Sequence, residues 1–553
     1  PLKLTFLCDA YYHPQQTVSM RALVGIIIAC YCWNERIGYY SDAKARLALL
    51  TDDPIFSSQV GDAILQFTRS ADTEEIDRKM REEIIPGLMK NPKLRRMPNI
   101  KKEEFGSDDI NPDWEQWMHE SGLEESMREI TEWQMEGADV NMSTFSQLKR
   151  YPFFYNISNW FRPFDAWQAD VLSIIGNPNE SNNPLGKTIL QSNYMCDSDK
   201  YSFCYAIREI PQMQREAMMA QLEEQNTALK ESADIPDLKR LSKQTTQSIM
   251  RQYVQNLYRF FKLFPNIKEF DNPFDDLAQR PIRSNPLYEN IMEADTLFKL
   301  IGLNIKQKNY FGAISYFDCL DEWHPDRMEA TQLQQFGLCY QKVEFYEEAI
   351  EAYTKADLLQ PDSYWTILHL AQCYRADSQY EKALEYYEIA ESMKPDNLNL
   401  TYHIAELHHR LGDYEEALPY LHKVDYHHPE SLKTVRLLAE CNLFDHKFEQ
   451  ATKYYERMMA EHTDELTVQD WKNAAYNYWL LGWREKFFNC MQRAEKLHEE
   501  LPHEEVEIDG QLYTDKRAFA NEVQNDFTTL HALGIRKEEL NYLYDAYCRE
   551  KRR

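Results

Sequence analysis

Two stretches of this 553-residue chain carry side chains in an order that could do chemistry. The first, Ser181-Asn182-Asn183-Pro184-Leu185-Gly186-Lys187-Thr188, ends like a phosphate-cradling loop, and Val171–Ile175 ahead of it stands where a strand would lead in. Such a loop turns successive backbone amides toward a phosphate. Ser181 occupies the place of the first glycine, Pro184 has no amide hydrogen, and no βαβ alternation surrounds the stretch. A polar loop is therefore the reading, with no nucleotide cofactor. The second is His403, Glu406, His408 and His409, the ligand types of a zinc site. On one helix His403 and His409 leave from faces other than that of His408, so the three imidazoles cannot converge, and no metal is expected.

No H-E-x-x-H, no G-x-S-x-G and no glycine-rich dinucleotide fingerprint occurs, and nothing pairs a nucleophile with a base. The 11 cysteines include no C-x-x-C; Cys339, Cys373 and Cys441 fall on helix faces and read as small buried residues in a reducing compartment. A net charge of -28 argues against non-specific binding to nucleic acid or anionic membrane and favours solubility and basic partners. The apolar run Leu23–Trp33 falls short of the ~18–20 residues of a membrane span and is followed by Glu35 and Arg36, so it reads as a buried helix. The chain opens at Pro1, so upstream residues, with any leader or anchor, are expected to be missing; a cytoplasmic location is the expectation.

The elements that must position any site repeat with a fixed period. Ala349, Ala383, Ala417 and Ala451 recur 34 residues apart, Ala313 leads them, and each has an aromatic three residues before it. Six repeats start at Ala294, Ala330, Tyr364, Leu398, Leu432 and Val468, with two extra residues after the first and the fifth. Positions 4, 7, 8 and 11 make one face of a first helix, in the third repeat Ile367, Leu370, Ala371 and Tyr374. Positions 20, 24 and 27 make one face of a second helix: Ala383, Tyr387 and Ala390. Position 8 is small in five repeats (Gly337, Ala371, Ala405, Ala439, Ala475), which lets paired helices approach closely. Pro325, Pro361, Pro395 and Pro429 end the second helices.

This pattern resembles the tetratricopeptide repeat family, W-x2-L-G-x2-Y followed by A-x3-F and P. The second to fourth repeats match it best; the first has Ile301 at the small position, and the sixth has Phe487 in place of the alanine and no proline. The resemblance implies an all-α fold: an α-solenoid of helical hairpins wound as a right-handed superhelix. It also implies that positions 2, 5, 6, 9, 12 and 13 of the first helices line a concave groove. The third repeat then supplies Trp365, His369, Gln372 and Arg375, and the fourth Asn399, Tyr402, His403, Glu406, His409 and Arg410. The fifth supplies Lys433, Arg436 and Glu440, and the sixth Lys472, Asn473, Tyr476 and Trp479. Rings on rigid helices with cations between them suit an extended peptide or a partner helix; plain exposure or packing between repeats is the other reading. The Lys/Asn order of the chaperone-binding subclass is absent, so capture of a C-terminal carboxylate by that clamp is not expected.

The remaining domains follow from the pattern breaks. Residues 1–102 carry candidate helices at Thr17–Trp33, Ala43–Leu50, Gln59–Thr68 and Thr73–Met89, loosely similar to HEAT-type hairpins. Residues 103–146 are an acidic loop and helices, with 13 Asp/Glu against one Arg from Glu103 to Asp139, read as solvated or as an acidic docking site. Residues 147–293 form a further helical domain. In it the aromatics of Tyr151–Tyr155 and Asn159–Phe164 pin a loop to the core or form a recognition patch, and helices are expected near Gln212–Lys230 and Lys243–Phe264. Residues 294–501 are the six repeats; residues 502–553 are a hairpin around Asp509-Gly510 and two capping helices, Asp515–Leu533 and Arg536–Arg549. The function expected is a non-enzymatic scaffold or adaptor that binds a protein or peptide in the groove. The alternative is an enzyme with its site in the N-terminal half and the repeats as a substrate-docking arm.

Overall fold

The computed structural model describes residues 2–84, 133, 137–140, 142–176, 189, 195–211, 246–270, 272–274, 292–500, 505–508, 511–514, 519, 523 and 525–551. The stretch Ser181–Thr188, the Gln212–Lys230 helix and most of the acidic run lie outside the described residues. The chain divides into two compact units, Pro1–Met328 and Glu329–Arg553.

Among its described residues the N-terminal unit is built of helices joined by turns and short loops. Helices span Leu2–Tyr11, Gln16–Cys32, Ser41–Thr51 and Pro54–Arg69. The last starts five residues before the apolar pattern does, because Asp53 accepts the Ile55 N–H and Pro54 fills the first turn, where its missing N–H costs nothing. The next helix, Thr73–Lys79, passes into a π-turn at Met80–Ile84. Val171–Ile175 is not a strand but the body of the helix Ala169–Ile175, stopped by Gly176 at φ 71°. A run of five residues, four of them apolar, has no period long enough to tell the two apart.

The helix Thr246–Leu263 is the axis of this unit. It packs on Gln16–Cys32 and Pro54–Arg69 and buries residues on every side, from Met250 through Phe260. The aromatic segment folds as two 3-10 turns, Pro152–Tyr155 and Ile157–Trp160, and Phe154 and Trp160 are each 1% exposed in a cluster with Phe260. This segment is pinned to the core, while Tyr155 stays outside. The first repeat hairpin, Ala294–Lys306 and Tyr310–Trp323, also belongs here. A Cβ on Gly61 would lie 2.9 Å from Thr296, and the Gln307 amide donates to the Thr68 carbonyl at 3.1 Å.

The second unit is a run of helical hairpins. Its first helices (A) span Ala330–Lys342, Tyr364–Ala376, Leu398–Leu411, Leu432–Phe444 and Val468–Leu480. Its second helices (B) span Tyr346–Leu359, Tyr380–Met393, Tyr414–His427, Phe448–Glu461 and Arg484–Glu500. In all six repeats helix A begins at position 1, and in five the position-17 aromatic is the first residue of helix B. Capping sets several starts: Ser363, Asn397 and Ser431 accept a first-turn N–H, and Thr467 with Asp470 forms a capping box. The fifth repeat ends in the 3-10 turn Thr463–Glu465, and the two extra residues, Leu466 and Thr467, lead into the sixth.

One backbone device joins A to B every time. Position 15 has a positive φ in all six repeats: Lys308, Glu344, Ser378, Gly412, His446 and Gly482, at φ 58° to 89°. Around it the position-16 N–H reaches the position-11 carbonyl, as in Gln379 to Tyr374 at 2.9 Å, and the position-15 N–H reaches position 12, as in Ser378 to Arg375 at 3.2 Å. These are Schellman closures of helix A. The alanines at position 20, from Ala313 to Ala451, are fully buried. Gly337 lies so close to helix B that an added Cβ would sit 2.7 Å from the Tyr353 ring.

At the C-terminus Glu505–Ile508 pairs antiparallel with Gln511–Thr514 in the register Ile508↔Gln511, which leaves two residues for the loop. Helices Phe527–Ala532 and Lys537–Lys551 follow, divided by Gly534 at φ 80°. Among the described cap residues Phe519, Val523, Leu530, Leu533, Ile535, Leu543 and Tyr547 are buried in one cluster with side chains of the fifth and sixth repeats.

Candidate functional site: the inner face of the A helices

Positions 2, 5, 6, 9, 12 and 13 of the A helices carry side chains that meet across repeat boundaries, as Arg375 and Glu406 do at 2.9 Å. The Trp365 ring centre lies 3.9 Å from that of His369, tilted by 40°, and Trp365 remains 38% exposed. The His369 imidazole contacts Gln341 at 2.8 Å, and the Gln341 amide donates to Gln372 at 3.2 Å. Burial pulls His369 down to about 4, so its ring is neutral.

The next group centres on Glu406. Arg375 donates to it at 2.9 Å, Arg410 at 3.3 Å, and His403 lies 3.3 Å away. The His403 imidazole and the two guanidiniums hold the Glu406 carboxyl down at about 2, against the opposing effect of burial. Tyr402 packs edge-on to His403, and burial pushes its phenol up to about 12. Asn399 is exposed beside them.

The fifth repeat behaves differently. Arg436 is locked to Asp470 by two hydrogen bonds, whereas Lys433 is exposed and has no ion pair among the described residues. Glu440 lies 3.3 Å from His409 and accepts the Asn473 amide at 3.3 Å. Burial and the neighbouring Asp470 push Glu440 up to about 7, while burial takes His409 down to about 4. The histidines separate as the helical spacing requires: His403 joins Glu406, His409 joins Glu440, and His408 stacks on Tyr420 at 5.9 Å.

At the sixth repeat the chain covers its own inner face. Lys472, Asn473 and Tyr476 are no more than 3% exposed, and Trp479 packs between Phe487 and Tyr542. Asp526, from the C-terminal segment, lies 2.8 Å from the Lys472 ammonium and accepts the Tyr476 hydroxyl at 2.7 Å. These three residues therefore do not face open solvent, as their repeat positions alone would have them do. The same register, carried back into the second repeat, adds residues that the sequence reading left out, among them Gln341 and Lys342.

The other dense polar cluster is inside the N-terminal unit. Arg259 lies 2.9 Å from Asp139, 3.0 Å from Asp199 and 3.0 Å from the Cys196 sulfur. Lys149 reaches Asp199 at 2.8 Å, Ser198 at 2.7 Å and Ser202 at 3.0 Å. Lys149 also lies 4.7 Å from the Phe154 ring centre, so the aromatic loop roofs the cluster. Every charged member is 6% exposed or less. Burial works against the charges on both cations: it lowers Lys149 despite Asp199, whereas at Arg259 the two carboxylates prevail and raise it. Burial likewise keeps the Cys196 thiol up at about 11, protonated and so a poor nucleophile. Asp139, the last acid of the run read as solvated, is thus a core residue. Two cations against two carboxylates make this a sealed structural knot.

Known proteins can be set beside this geometry. A tetratricopeptide repeat model matches residues 374–431. No curated protein matches the chain. Among solved structures it is similar to MamA MSR-1, at 19% identity over 31% of this chain and 97% of that one, TM-score 0.29. It is similar to YrrB, described as a TPR protein with an unusual peptide-binding site, at 19% identity over 34% and 95%, TM-score 0.30. A tetratricopeptide repeat protein from Parabacteroides merdae matches at 14% identity over 46% and 98%, TM-score 0.31.

Proposed function

We propose that this chain, whose C-terminal half is rich in tetratricopeptide repeats, is a scaffold that binds an extended peptide or helix of a partner along the inner face of its second to fifth repeats. The protein does no chemistry of its own in this reading. The observation that carries it is the row Trp365–His369–Gln372–Arg375–Glu406–Arg410, whose side chains are already ordered by contacts with one another on rigid helices. Side chains fixed before binding lose little entropy when a ligand arrives, so modest contacts suffice. The row also stays accessible: Trp365 is 38% exposed, and the Arg375 and Arg410 side chains 32% and 48%. Among the described residues no helix is long and apolar enough to cross a membrane.

The test is partner recovery by the full chain against Trp365→Ala combined with Arg410→Ala. Both side chains are partly exposed, so the fold should survive, which a thermal melt checks. Loss of partners with an unchanged melt is the expected result; unchanged recovery sinks the assignment.

A further inference from the structure

We infer that the inner face takes an acidic segment, its carboxylates seated against Arg375, Arg410 and Lys433. This rests on the peptide-binding reading and narrows it to one partner chemistry. Two independent features support it.

The first is charge. The chain as a whole carries -28, yet the inner positions of the second to fifth repeats hold five cations, Lys342, Arg375, Arg410, Lys433 and Arg436, against two carboxylates, Glu406 and Glu440. Arg436 is taken by Asp470. Arg375 and Arg410 share the single carboxylate of Glu406, and both retain exposed surface. Lys342 and Lys433 are exposed and have no ion pair among the described residues. A cationic strip on an otherwise acidic molecule selects acidic ligands: other surfaces repel them, and the strip gains a charge partner.

The second is a carboxylate already seated on the same row. At the sixth repeat, positions 5 and 9 are Lys472 and Tyr476, and Asp526 of the chain's own C-terminal segment lies against both. Asp526 sits on the last repeat, while among the described residues no C-terminal side chain is paired with Lys342, Arg375, Arg410 or Lys433. A partner's acidic residues would continue along the line that Asp526 begins.

The experiment uses the full chain and three labelled peptides of equal length: one rich in Asp and Glu, its Asn/Gln counterpart, and a Lys-rich one. Fluorescence anisotropy is read at low and high salt. The acidic peptide should bind best, weaken with salt, and lose about tenfold or more in affinity to Arg410→Glu combined with Lys433→Glu. Both side chains are exposed, and a melt confirms that the double variant folds. Equal or better binding of the neutral or basic peptide, or no effect of the charge reversal, overturns the inference. If such a peptide still binds and is lost with Trp365→Ala, the peptide-binding reading stands. If none of the three binds, both fall.

Discussion

The guanidinium of Arg436 faces the carboxylate of Asp470 with two parallel hydrogen bonds, Nε at 2.7 Å and a terminal nitrogen at 2.8 Å. Asp470 is 4% exposed and also closes the capping box with Thr467, accepting its N–H at 2.8 Å. Arg436 therefore ties the body of one A helix to the N-terminus of the next. Arg436→Ala would strand a buried carboxylate, and a loss of roughly 2–4 kcal/mol is expected. Arg410→Ala, at a half-exposed pair, should cost below about 1 kcal/mol. Denaturant titration of the two variants compares them directly.

The knot around Arg259 makes a stronger demand. Arg259→Ala leaves Asp139 and Asp199 with one ammonium between them, out of reach of water. A loss of about 3–5 kcal/mol is expected, read as an early melting transition by calorimetry. Arg21→Ala, whose partner Asp197 is 29% exposed, serves as the milder control.

Acidification should act on the inner face in a set order. His369 and His409, both near 4, contribute stability that is whole above about 6.5 and is lost as pH falls toward 4. Glu406, near 2, contributes stability present above 4.5 and lost as pH falls toward 2. Glu440 has the opposite sign: its raised value means that the ionised form is penalised, so stability falls as pH rises from 4.5 through about 7. The groups facing it are Asp470, Arg436, Asn473 and His409. Glu440→Gln should thus stabilise the repeats at pH 8, by roughly 2 kcal/mol, and do little at pH 4.5. Melting curves at the two pH values decide; equal shifts at both would contradict the assignment.

The turn residues offer a test of backbone strain. Ser378 and His446 hold a left-handed conformation that glycine adopts freely. Ser378→Gly and His446→Gly should each raise stability by about 0.5–1 kcal/mol, and Gly412→Ala should lower it by about 1 kcal/mol. No atom lies within 4 Å of a Cβ placed on Gly412, so that cost is conformational alone. Thermal melts of the three variants suffice.

How much of this was legible beforehand depended on the range of the interaction. Helix starts at Tyr364, Leu398 and Leu432 could be read because period and cap residues are local. The inner-face row was legible as a row, since a helix fixes which residues share a side. Whether a member would be open was not. Lys472 and Tyr476 are closed by Asp526, about fifty residues later in the chain, and no pattern near either announces it. Asp139 shows the same limit in reverse. Its acidic neighbours suggest a solvated face, but Arg259, 120 residues on, draws it into the core.

The position-15 turns carry a last consequence. Their left-handed geometry is imposed by amides and carbonyls, and four different side chains tolerate it beside two glycines. A joint written in the backbone can be duplicated and then worn down by mutation without losing its angle. Each copy of the hairpin is therefore free to exchange its outward residues for new contacts while the mould that shaped it stays intact.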